Sequence, residues 1–63
     1  MTFDIILERT KKPIIKNNFT FTLEQITSKP NFLEYAVELS KLSVGQEYKD
    51  MRSNGYILFK RTK

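Results

Sequence analysis

Asn31–Leu42, NFLEYAVELSKL, decides how this chain is read, because it is the run with a clear helical period. Leu33, Ala36, Val37 and Ser40 recur at the i, i+3, i+4, i+7 spacing of one helix face, and Phe32 and Leu39 widen the stripe. Asn31 is placed to cap the first turn, with Glu34 at the capping-box position three residues later. Pro30 closes off the chain before it, and Gly45 follows where a left-handed residue ends a helix. The spacing predicts one main helix over residues 31–43.

Segments with strand periodicity lie on both sides of it. In Thr2–Arg9, TFDIILER, Phe3, Ile5 and Leu7 alternate with Thr2, Asp4 and Glu8, with Ile6 as the exception. Pro13 breaks this run, since it lacks an N–H and restricts Lys12. Ile14–Leu23 returns as a second strand, with Phe19, Phe21 and Leu23 alternating with Thr20 and Thr22. Thr22-Leu23-Glu24-Gln25 also reads as a capping box that opens a short helical turn through about Ser28.

Residues 46–63 read as a hairpin around Ser53-Asn54-Gly55. A two-residue Asn54-Gly55 turn sets Lys49 against Lys60, which is repulsive. A three-residue loop with Gly55 in the left-handed region sets Glu47 against Arg61 and Met51 against Ile57, and is preferred. Met51, Ile57 and Phe59 then face the core. Tyr48, Tyr56 and Leu58 form the other face, with Arg52 and Lys60 beside them. The expected fold is α+β over residues 1–63 as a single domain: a small antiparallel sheet of two hairpins, β-β-α-β-β, with one main helix on one face.

Composition narrows the chemistry. The chain has no cysteine, so disulfides and thiolate metal sites are excluded. It has no histidine, so Ser–His and Cys–His nucleophile pairs cannot be built. Glu34 and Glu38 share a helix face, but no phosphate-binding loop or second acidic cluster accompanies them, and they read as exposed surface. A non-enzyme is expected, with no catalytic residue, cofactor or metal. No apolar run approaches the roughly 20 residues of a membrane helix. Asp4 and Glu8 interrupt any leader-like N-terminus, so a cytoplasmic location is expected and the Asn18-Phe19-Thr20 glycosylation pattern is empty. Residues with AT-rich codons (Phe, Tyr, Met, Ile, Asn, Lys) number 28 against 8 with GC-rich codons (Gly, Ala, Arg, Pro), which fits a bacteriophage or a low-GC bacterium.

Two surfaces remain as candidates. Tyr48, Arg52, Tyr56, Leu58 and Lys60 mix the residue types that protein interfaces favour. Arg9, Lys11, Lys12 and Lys16 form a basic tip that Lys60, Arg61 and Lys63 extend if the termini meet, within a chain of net charge +4. The first set predicts a phage-type or mobile-element accessory protein, monomer or homodimer, that docks on a host protein and modulates or inhibits it. The second predicts a small DNA- or RNA-binding protein.

Thr22-Leu23-Glu24-Gln25, the turn at Ser28-Lys29-Pro30, the following helix and the Gly55-tipped hairpin resemble an excisionase-type winged helix. The resemblance implies a helix in the major groove and a hairpin touching the DNA backbone. The sequence departs from that pattern. Its first helix is barely two turns, and its second is rich in Glu34, Glu38, Leu and Val and offers only Lys41 to DNA. No residue role carries over.

Overall fold

A computed structural model describes residues 1–10, 13, 15–52 and 54–63, with the side chains of Ile15 and Arg52 outside that description. The elements are β1 (Thr2–Arg9), β2 (Ile15–Thr22), α1 (Leu23–Thr27), a 3₁₀ turn (Leu33–Tyr35), α2 (Ala36–Ser40), β3 (Glu47–Arg52) and β4 (Gly55–Arg61). The four strands form one antiparallel sheet in the order β2-β1-β4-β3. The broad α+β class and the two hairpins agree with the sequence. The expected Ile14 start of the second strand, and Ser53 in the second hairpin, lie outside the described residues.

The single main helix does not form. No α-helix among the described residues exceeds five residues. Phe32 and Leu33 both donate their N–H to the Lys29 carbonyl, at 3.0 Å each, so the helical path already turns at Lys29. Pro30 therefore sits in a first turn, where its missing N–H costs nothing, and Asn31 is exposed rather than capping. Gly45 (φ +90°) is not a helix terminator either. It lies in a turn closed by Gln46 N–H on the Ser43 carbonyl at 2.9 Å.

The capping box at Thr22 does form. Thr22 Oγ1 accepts from Gln25 N–H at 3.2 Å, and Gln25 Oε1 accepts from Thr22 N–H at 2.9 Å. This reciprocal pair satisfies two backbone donors where the strand passes directly into α1.

The helical face is rotated from the one predicted. Leu33 and Val37 are 57% and 64% exposed, whereas Tyr35 and Leu39 are buried and Phe32 and Leu42 pack against the core. Phe32, Tyr35, Leu39 and Leu42 follow a 3-4-3 spacing that also suits one helix face. They close over Phe3 and Ile5 of β1 and Ile57 and Phe59 of β4, with Ile26 of α1 completing the core. Phe59 is the hub of this packing. Its ring centroid lies 5.0 Å from Tyr35, 5.9 Å from Phe32 and 6.4 Å from Tyr48. Aromatic pairs at such separations add about 0.5–1.5 kcal/mol each beyond the area they bury.

The C-terminal hairpin adopts neither register considered above. Glu47 pairs with Lys60, Tyr48 with Phe59, Met51 with Tyr56 and Arg52 with Gly55. This register sets opposite charges across from each other at Glu47 and Lys60. It also turns Tyr48 and Asp50 toward the helices, where the Asp50 carboxylate accepts a hydrogen bond from the buried Tyr35 hydroxyl. A buried tyrosine hydroxyl needs such a partner, and a one-residue slip would remove it. Met51, expected in the core, is instead 71% exposed.

Candidate functional site

All the helical elements cover one side of the sheet, the side that carries Phe3, Ile5, Ile57 and Phe59. Strand side chains alternate between faces, so the register assigns the opposite side to Asp4, Ile6 and Glu8 of β1, Tyr56, Leu58 and Lys60 of β4, Glu47, Lys49 and Met51 of β3, and Lys16, Asn18 and Thr20 of β2. No described helix lies over this face. Antiparallel sheets commonly leave one face solvated, and such a face is normally polar. Here its centre is apolar. Ile6 pairs directly with Leu58, and Tyr56 and Met51 pair beside them, giving a strip across three strands.

Polar contacts fix the strip's surroundings. The Tyr56 hydroxyl donates to Glu8 Oε2 at 2.9 Å. That bond, followed by burial and the carboxylate's charge, holds the Tyr56 phenol above its usual pKa, so it stays a neutral donor. Lys49 Nζ lies 4.4 Å from the centroid of the Tyr56 ring, within cation–π range. Thr20 Oγ1 donates to Asp4 Oδ1 at 2.9 Å. The charges on this face balance: Lys16, Lys49 and Lys60 against Asp4, Glu8 and Glu47.

Of the residues expected to bind a partner, Tyr56, Leu58 and Lys60 share this open face. Tyr48 does not. It faces the helices, 6.1 Å from the Tyr35 ring. Arg52 pairs with Gly55, on the same alternation as Tyr48, and its side chain lies outside the described residues. Ile6 and Met51 join the strip instead. The signal for Ile6 was present in the sequence, as the one apolar residue that broke the alternation of the first strand.

The basic candidates separate. Arg9 pairs with Gly55 at one end of the β1–β4 ladder and Arg61 pairs with Phe3 at the other, roughly 20 Å apart at strand rise. The Arg61 guanidinium is engaged by the Leu42 and Lys63 carbonyls, tethering the chain after α2 to the C-terminal strand. Lys63 lies at that same end, where its carbonyl accepts from Thr2 N–H at 3.0 Å. Lys16 pairs with Glu8 on β1. Lys11 and Lys12 lie outside the described residues.

The helix expected to enter a major groove in the winged-helix reading is the five-residue α2, with Leu39 fully buried beneath it. Glu34 and Glu38 are exposed. No group of three or more metal-ligating side chains occurs among the described residues, and no described helix is long and apolar enough to cross a membrane. A cleft of about 510 Å³ opens beside the hairpin tip, with Leu7, Phe32, Ile57, Arg9 and Glu34 in its lining. Comparison with protein-family models, with curated proteins and with solved structures finds no match for this chain.

Proposed function

We propose that this chain is a non-enzymatic protein-binding module, an accessory protein of the kind a bacteriophage or mobile element encodes, that docks on a larger host protein through the open face of its sheet. The observation that carries the reading is the apolar strip of Ile6, Leu58, Tyr56 and Met51 on a face that no described helix covers. A polar rim around an apolar, tyrosine-containing centre is the usual anatomy of a protein interface. The balanced charge of the face favours a protein surface over a polyanion, which calls for clustered lysine and arginine.

The test is capture of partners from lysate, with and without nuclease, by the natural chain and by Met51→Glu. Met51 is mostly exposed, so the variant should keep its melting temperature to within the effect of an ordinary surface change, about 0.5 kcal/mol. A charge at the β3 end of the strip should weaken a nuclease-resistant protein contact at least tenfold, or about 1.4 kcal/mol. The contrasting variant replaces Arg9, Lys11 and Lys12 with glutamine. If that variant alone abolishes binding, and nuclease releases everything captured, the nucleic-acid reading replaces this one.

A further inference from the structure

The two edges of the sheet are protected unequally. Natural edge strands avoid unwanted pairing by carrying charge, proline or bulges. β3, one edge, has four charged residues in six: Glu47, Lys49, Asp50 and Arg52. β2, the other edge, is eight residues long and carries one charge, Lys16. The Leu23 N–H donates to the Met1 carbonyl at 3.0 Å, which sets the alternation of the β1–β2 ladder. Odd-numbered residues of β2 bond to β1, and Lys16, Asn18 and Thr20 turn their N–H and C=O groups outward. The Thr22 N–H is already taken by Gln25. Beside this row, Phe19 is 41% exposed and stacks on Phe21 at 5.9 Å.

We propose that β2 is a self-association edge, pairing antiparallel with β2 of a second copy about a two-fold axis at Phe19. In that register Asn18 bonds with Thr20 of the other copy, and the reverse. The two Phe19 side chains meet as a non-hydrogen-bonded pair, the position where facing side chains approach most closely. Each Lys16 sits opposite Thr22 of the other copy. The two Lys16 residues are then separated by six strand positions, roughly 20 Å and beyond the screening length of about 8 Å at physiological salt. A strand whose single charge falls clear of the axis is its own complement, which is what a two-fold interface requires. The result is a continuous eight-stranded sheet with both open faces still free. The pairing is therefore independent of the docking surface proposed above.

The experiment is sedimentation velocity across a wide concentration range on the natural chain, Asn18→Pro, Phe19→Lys and Met51→Glu. The natural chain should move from its 7.5 kDa monomer mass toward twice that value as concentration rises. Asn18→Pro removes an outward N–H that the monomer does not use, a change edge strands tolerate. Phe19→Lys places like charges at the axis. Each should weaken dimerisation at least tenfold with unchanged circular dichroism, and Met51→Glu should leave it unchanged. If Asn18→Pro fails to fold, Phe19→Lys decides alone. A natural chain that stays monomeric throughout, a dimer that survives the β2 variants, or a dimer abolished by Met51→Glu would each overturn the proposal.

Discussion

Gly55→Ala is expected to lower stability by about 3 kcal/mol, more than half of what a core of this size supplies. Gly55 opens β4 with φ at +147°, a conformation that L residues with a Cβ rarely adopt. A non-glycine residue held there costs about 1–3 kcal/mol. Space is the second problem. A Cβ at this position would lie 1.8 Å from the Glu8 carbonyl oxygen and 2.8 Å from the Arg9 Cα, and both are backbone atoms of the adjacent β1. Forcing extra atoms into a packed site costs about 1–3 kcal/mol more. A core of this size rarely supplies more than about 3–5 kcal/mol in total. Chemical denaturation of the variant checks this, and an unchanged midpoint would mean that β4 does not lie against β1 in the register described.

The second large effect separates two readings of the helical segment. Leu39→Ala should cost about 2–5 kcal/mol, because Leu39 is fully buried against the sheet and its loss leaves a cavity. Leu33→Ala and Val37→Ala should each stay within about 0.5 kcal/mol, since both side chains are mostly in solvent. Thermal melts of the three variants give the comparison. A Val37→Ala loss as large as that of Leu39→Ala would restore the face that the i, i+3, i+4, i+7 count selects.

That count went wrong for a physical reason. Starting from Leu33 picks three residues that are apolar by type, Leu33, Ala36 and Val37, and then Ser40. The buried face starts one residue earlier and includes Tyr35, whose hydroxyl donates a hydrogen bond to the Asp50 carboxylate. That partner stands 15 residues further on, and no local pattern signals it. Pro30 misled in the same way, since a proline that ends one helix is equally at home in the first turn of the next.

Local chemistry was more readable. The strict alternation of Phe19, Phe21 and their neighbouring threonines gave β2, the Thr22–Gln25 box gave the start of α1, and the Asn-Gly dipeptide gave a hairpin with glycine at positive φ. The register of that hairpin was not readable from its own two strands. Tyr48, Asp50 and Gly55 are placed by contacts with Tyr35 and β1, which lie outside it. The placement of two hairpin residues inherits this error: Tyr48 lies on the helix side of the sheet, and Met51 joins Tyr56 and Leu58 on the open side.

The central claim is that the sheet has one covered face and one open face, with Tyr48 on the first and Tyr56 on the second. Proton NOE spectroscopy tests it most directly. The Tyr48 ring should show cross-peaks to Tyr35 and Phe59, while the Tyr56 ring and the Leu58 methyls show none to Ile26, Tyr35 or Leu39. Cross-peaks joining Tyr56 or Leu58 to those helical residues, with Tyr48 free of them, would contradict the register and remove the open apolar face on which the functional reading stands.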